Sequence, residues 1–104
     1  MASYVAKASP PAATYTTLGT MPGDMTVNLI AVNRDQINAV TVRVGISTAA
    51  VAPSPIPNAD YIEPPDLVIP AGGKLELTGY ALASGEVVTI FNSAATVSWR
   101  VHGR

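Results

Sequence analysis

The chain has 104 residues, 12% of them charged, and a formal net charge of −1 at pH 7. This balance gives no electrostatic reason to expect nucleic acid or an anionic membrane as a partner, and the absence of cysteine excludes a disulfide framework and thiolate metal sites. The length fits one domain with its own core. No apolar run reaches the roughly 18 residues of a membrane span, and the N-terminus lacks the apolar segment of a signal peptide. The absence of cysteine fits a protein made and kept in a reducing cytoplasm.

The N-terminal segment, residues 1–13, offers few side chains that could anchor it to a small core. Terminal segments of this kind are ordered only where something ties them down. We therefore expect an N-terminal arm over residues 1–13 that grips a neighbouring molecule, with docking on its own domain as the alternative, followed by a single domain over residues 14–104. The arm residues expected to make that contact are Tyr4, Val5, Pro10 and Pro11.

The first half of the domain contains three strand patterns. TYTTLGT, residues 14–20, is rich in β-forming residues. MTVNLIAVN, residues 25–33, is apolar on both faces, with Ile30 and Val32 opposite the main apolar set. A strand of this kind is either central in a sheet or lies at an interface. AVTVRVGIS, residues 39–47, alternates apolar and polar side chains, which predicts a half-buried strand.

The stretch VAPSPIPNADYIEPPDLVIPAGG, residues 51–73, carries six of the nine prolines and the acidic residues Asp60, Glu63 and Asp66. Neither half of the chain has enough inward side chains to fold alone. The stretch is therefore predicted to be an ordered crossing connection inside one sandwich, with a short strand within DYIEPPDLVI. It has no P-x-x-P spacing, so it is not expected to be an SH3-type ligand. The contact residues expected here are Pro55, Ile56, Tyr61, Pro64 and Pro65.

Three more strand patterns follow in the C-terminal part, KLELTGYAL (74–82), EVVTIFNS (86–93) and TVSWRVHG (96–103). The second is apolar on both faces, and the alternation of the third places Trp99 inward. A lone tryptophan in a small domain is more often a core residue than a stacking platform. Short strands at regular spacing, with no helical period, predict an all-β antiparallel sandwich or barrel.

Residues suited to catalysis or metal binding are sparse. His102, the single histidine, lies on the polar side of the last strand with no nucleophile or carboxylate near it in sequence. Asp60, Glu63 and Asp66 could ligate calcium, but prolines interrupt the set, and a solvated acidic rim is favoured. A glycosidase pair of Glu63 and Asp66 has less support still. We predict no catalytic residue, no metal site, no cofactor and no small-molecule substrate.

One resemblance covers nearly the whole chain. The succession TVNLIAVNRDQINAVTVRVGIS, ADYIE, IPAGGKLELTGYAL and SGEVVTIFNSAATVSWRVHG resembles the small Ig-like β-sandwich virion proteins of tailed bacteriophages, over roughly residues 14–103. Such proteins serve as capsid decoration, neck, baseplate or fibre-associated parts. The resemblance implies an Ig-like sandwich of about seven strands. It also implies a non-enzymatic role in the virion, in many copies that contact each other and other virion proteins. This chain departs from similar sequences at Asp35, where they often have glycine.

A carbohydrate-binding sandwich for host attachment is the alternative function. It would need exposed aromatic side chains clustered on one face of the domain. The candidates for such a cluster are Tyr4, Tyr15, Tyr61, Tyr80 and Trp99.

Overall fold

The computed structural model of the chain describes residues 3–104, and over this range it contains eight β-strands and one single-turn 3₁₀ helix, Asn58–Asp60. The strands in chain order are β1 (Tyr4–Ala8), β2 (Thr16–Thr20), β3 (Met25–Asn33), β4 (Val40–Ser47), β5 (Leu67–Ile69), β6 (Lys74–Leu82), β7 (Val87–Asn92) and β8 (Val97–Gly103). The predicted strands over 14–20, 25–33, 39–47 and in the C-terminal part are all present.

The strands form two antiparallel four-stranded sheets. One sheet, called the front sheet here, has the order β1-β8-β3-β6, and the other, the back sheet, has the order β2-β7-β4-β5. This confirms the predicted all-β sandwich. The first strand pairs with the last, the second with the seventh, the third with the sixth and the fourth with the fifth. Eight strands wound in this order make a jelly roll. The Ig-like strand order implied by the resemblance is therefore not the one observed, because an Ig sandwich divides its strands as ABED and CFG.

β1, the strand beyond the seven that were expected, comes from the predicted N-terminal arm. Tyr4–Ala8 pairs along β8, with Tyr4 opposite Gly103 and Ala8 opposite Trp99. Tyr4, Ala6 and Ala8 pack against the core, so this segment is anchored by its own domain. The arm prediction was wrong for these residues because the inward side chains are mostly alanine, which gives a weak alternating signal. Met1 and Ala2 of the predicted arm lie outside the described residues.

The core between the sheets consists almost entirely of aliphatic side chains from inward strand positions. Trp99 is its largest member and is only 2% exposed, as its place in the alternation predicted. Its Nε1 donates a hydrogen bond to Oδ1 of the buried Asn92 at 3.1 Å. The bond spans the two sheets, because Trp99 belongs to β8 and Asn92 to β7, and it satisfies both buried polar groups.

The proline-rich stretch stays with the back sheet before it crosses. After β4, the chain returns through β5, which pairs with β4 in the register Val42 to Leu67 and Val40 to Ile69. Only the last residues, Pro70–Gly73, carry the chain to β6 of the front sheet. The predicted crossing is therefore made at the end of residues 51–73, after the predicted short strand.

Candidate protein-contact surface

The outer face of the back sheet is covered by the chain's own proline-rich stretch. Ile56 is only 3% exposed, although it lies outside the main core, and its Cγ2 would be 2.5 Å from a Cβ added at Gly45. Ser47, on the same outer side of β4, donates from its hydroxyl to Asp60 Oδ2 at 2.6 Å. The outward Thr89 of β7 is fully buried as well. The outer face of the back sheet is thus covered within one molecule around Gly45, Ser47 and Thr89, while Val68 of the edge strand β5 is 59% exposed.

An aromatic and ionic cluster fixes the end of this cover. The Arg43 guanidinium donates to both carboxylate oxygens of Asp66, at 2.9 and 3.2 Å, and to the Tyr15 hydroxyl at 2.6 Å. It also lies 5.0 Å from the centre of the Phe91 ring, which packs against Tyr15. The bonds to Asp66 and then Tyr15 raise the pKa of Arg43 above its usual range, and burial raises the pKa of the nearby Tyr61. Through its bonds to Asp66, Arg43 ties the end of the stretch to β4.

Between its two attachments to β4, the stretch bulges outward. Tyr61 bridges to Gly45 and Leu67 pairs with Val42. The stretch therefore advances six residues, from 61 to 67, while β4 advances only three, from 45 to 42. The surplus contains Pro64 and Pro65, which have no N–H to offer to a neighbouring strand. We call Glu63–Asp66 the proline knob. Both prolines are exposed, and among the described residues the ion pairs are Arg43–Asp66 and Lys74–Glu76, so Glu63 has no partner there.

The outer face of the front sheet, called the open face here, carries apolar side chains that remain accessible. Val5 of β1 is 49% exposed and Val32 of β3 is 37% exposed, with the half-buried Ile30 two residues before Val32 on the same side. Outward positions of a sandwich strand are normally polar. The outward side chains of β1, β8 and β3 are Val5, Lys7, Ser98, Arg100, His102, Asn28, Ile30 and Val32.

A shallow groove of about 500 Å³ lies on the open face, and we call it the front groove. Its lining includes Ile30, Val32, Ser98, Lys7 and Arg100. Lys7 and Arg100 are directly opposite each other in the antiparallel register of β1 and β8, and like charges in that position destabilise a sheet. Neither takes part in the ion pairs of the described residues. The groove thus combines an apolar floor with two cations that lack a counter-charge.

The residues considered for catalysis or metal binding are dispersed. His102 is half-buried on the open face, with its Nε2 3.5 Å from Asn28 Nδ2. Asp60 accepts the Ser47 hydroxyl and Asp66 pairs with Arg43. Within residues 3–104, no group of three His, Cys, Asp or Glu side chains is placed to hold a metal ion. The same residues include no helix long and apolar enough to cross a bilayer.

The nine residues expected to contact a neighbour have different surroundings. Those that are exposed are Val5, Pro11, Pro55, Pro64 and Pro65, and those that are half-buried are Tyr4 and Tyr61. Pro10 and Ile56 are buried in their own domain, so the expectation that they touch a neighbour is corrected. Ile56 fills the space above Gly45, and Pro10 offers its carbonyl to Asn92 Nδ2 at 3.4 Å.

The front groove was not among the sequence predictions. Its residues are far apart in the sequence, and only β-sheet register brings Lys7, Arg100 and Ile30 into one row. The one sequence signal was the second apolar face of MTVNLIAVN, which indicated a central strand or an interface. β3 is central, since it lies between β8 and β6, and it also presents Ile30 and Val32 outward.

No family model matches the chain, and no curated protein matches it. Among solved structures, it is similar to a pentameric capsid protein isolated from metagenomic phage sequences, with 15% identity over 98% of this chain and 59% of that chain, and a TM-score of 0.40. A second structure of a pentameric capsid protein from metagenomic phage sequences gives 16% identity over 98% and 66% of the two chains, with a TM-score of 0.39. The VP2 subviral particle of infectious bursal disease virus gives 13% identity over 99% and 37%, with a TM-score of 0.29. This chain thus spans between 37% and 66% of the length of these proteins.

Proposed function

We propose that this chain is a non-enzymatic structural protein of a tailed-phage virion, made in the host cytoplasm. It assembles in many copies on the capsid, as decoration or cement, or on the neck, tail or baseplate. Its partners are copies of itself and other virion proteins, without nucleic acid, membrane or small-molecule substrate. The observation that carries the proposal is the contrast between the two sheets. The back sheet covers the outer face of its central strands with its own chain and leaves Val68 exposed on the edge strand β5, whereas the front sheet leaves Val32 accessible on its central strand β3, along with Val5 on β1.

The jelly roll supports this reading at the level of the fold. Eight-stranded jelly rolls recur in viral capsid and lectin domains. A fold alone does not determine function, and the composition of the surface is the more specific observation. Contiguous exposed apolar side chains rimmed by polar ones mark sites of protein contact, and Ile30 and Val32 beside Lys7 and Arg100 have this composition.

Val32→Glu tests the role of the open face on particles. We expect wild-type protein to co-sediment with purified particles that lack the chain, and Val32→Glu to lower the bound amount at least tenfold, because it places a charge inside an apolar contact. Ile37→Glu is the matched control, since Ile37 is 86% exposed in the β3–β4 connection, away from the front groove. If Val32→Glu binds particles as well as Ile37→Glu does, the open face is not the contact and the proposal fails.

Carbohydrate binding is the second candidate. One observation favours it, which is that Tyr15, Phe91 and Tyr61 lie together around Arg43 on the back sheet. Tyr15 and Phe91 pack on each other and Arg43 covers the Phe91 ring, so these rings are partly engaged within the molecule. Glycan-array binding that is abolished by Tyr61→Ala, in a variant that melts like wild type, would establish this function. An array without signal for the wild-type chain would exclude it for the glycans tested.

A further inference from the structure

We propose that the proline knob of one copy docks in the front groove of a second copy. This inference deepens the proposed function and rests on it, since it names the partner as another copy of this chain and assigns the two contacting surfaces. The knob, Glu63–Asp66, offers an unpaired carboxylate beside two exposed prolines. The front groove offers the apolar side chains of Ile30 and Val32 and the unpaired cations Lys7 and Arg100.

Charge complementarity identifies the occupant of the groove. Acidic residues in 51–73 are Asp60, Glu63 and Asp66, with no basic residue among them. Lys7 and Arg100 face each other across β1 and β8 and neither is in an ion pair of the described residues, since the carboxylate in the same row, Glu76 of β6, pairs with Lys74. An anionic side chain placed between them removes their mutual repulsion, and Glu63 is an unpaired carboxylate on an exposed apolar segment. Complementary charges of this kind fix the register of an interface and accelerate association.

The knob is also prepared for docking because it is already rigid. Tyr61 is bridged to Gly45, Ile62 N–H donates to the Val44 carbonyl at 3.2 Å, and Arg43 holds Asp66 through two bonds. Proline fixes its own φ angle, so Pro64 and Pro65 lose little freedom on binding. An ordered segment avoids part of the entropy cost that association otherwise carries.

One molecule cannot bring its own knob into its own groove. The knob lies beside β5, which is the edge strand of the back sheet, while the groove lies on the outer face of the front sheet next to its edge strand β1. β1 contacts β2, the opposite edge of the back sheet from β5. The contact is therefore intermolecular and head to tail. Such an interface leaves a free groove and a free knob at each step, and it continues into a closed ring or a filament.

A charge exchange tests the docking in solution, with purified full-length chain and sedimentation velocity. Arg100→Glu and Glu63→Lys should each weaken self-association at least tenfold, because each brings like charges together. An equimolar mixture of the two variants should assemble again, since each groove then meets a complementary knob. The double variant R100E/E63K, which keeps the wild-type net charge, should also regain assembly. Raising NaCl from 50 to 500 mM should weaken wild-type association roughly tenfold by screening.

The outcomes separate this inference from the proposed function. Three results would each overturn the docking. The single variants could assemble like wild type, the mixture of the two variants could stay monomeric, or the wild-type chain could fail to self-associate. Arg100→Glu could instead lose binding to a homopolymeric nucleic acid while its self-association stays unchanged. That result would overturn the docking and indicate a polyanion as the occupant of the groove. Co-sedimentation of the wild-type chain with particles that lack it decides the virion role separately, because this readout does not depend on which surfaces the copies use among themselves.

Discussion

At the scale of single residues, Gly45 decides how one face of the domain is closed. A side chain at this outward position of β4 would meet Ile56 Cγ2 at 2.5 Å and the Asp60 carbonyl oxygen at 3.1 Å. Glycine alone leaves the space into which Ile56 packs. Because the Asp60 oxygen belongs to the backbone, the clash cannot be relieved by a side-chain rotation alone.

Gly45→Ala should therefore lower the free energy of unfolding by about 1–3 kcal/mol, the usual cost of overpacking a filled site. Urea denaturation followed by tryptophan fluorescence measures the change. Gly23→Ala is the matched control, since a Cβ there meets nothing within 4 Å, and it should be neutral or slightly stabilising through the unfolded state. Equal stability of the two variants would contradict the tight packing of Ile56 on β4.

At the scale of elements, Asp35 organises the connection from β3 to β4. Its Oδ1 accepts hydrogen bonds from the Ile37 N–H at 2.8 Å and the Asn38 N–H at 3.0 Å, and its Oδ2 accepts from Asn38 Nδ2 at 3.2 Å. These bonds lower the pKa of Asp35 below its ordinary value, and the bond from the Ile37 N–H has the largest effect. The turn is thus built around a carboxylate.

The lowered pKa predicts a pH dependence for the turn. A carboxyl group whose pKa is lower in the folded state adds stability above its unfolded pKa, and this contribution is lost as the pH falls through the folded value. Asp35→Asn should thus lower the melting temperature at pH 7, and the difference from wild type should shrink as the pH approaches 2. Thermal melts at pH 2–7 measure it. A difference that stays constant over this range would show that the charge of Asp35 does not stabilise the turn.

At the scale of the whole molecule, the two sheets of the jelly roll have different outer surfaces. The back sheet carries residues 51–66 over its outer face and beside β4, and the front sheet stays open around Ile30, Val32 and Arg100. Under the proposed docking, the proline knob and the front groove are the two contacting surfaces of each molecule. Assembly in many copies then needs no second kind of chain.

Small-angle scattering should detect this assembly. The Cα radius of gyration of the single chain is 12.9 Å. Val32→Glu should give a value close to this at every concentration, whereas the wild-type value should rise with concentration as head-to-tail contacts form. Ile37→Glu should behave like wild type. A wild-type value that stays at that of the single chain would contradict self-assembly through the open face.

Most of the secondary structure followed from the sequence. β3 coincides with the segment MTVNLIAVN, and β4 coincides with the alternating segment that starts at Val40. Both strands could be predicted because the pattern of side chains along a strand is a local property of its own segment. The inward place of Trp99 followed in the same way. β1 was missed because its inward residues include Ala6 and Ala8, whose burial depends on the neighbouring strand β8.

The order of the strands and the choice of the open face were decided only by the tertiary structure. β3 and β7 have the same sequence character, apolar on both faces, yet the second face of β7 is buried at Val87 and Thr89 and half-buried at Phe91, whereas that of β3 remains accessible at Val32. The difference arises because β7 lies next to β4, over which Ile56 packs, while β3 lies in the other sheet. Local patterning determines that a segment is a strand with an apolar face, but pairing between residues distant in sequence determines what covers that face.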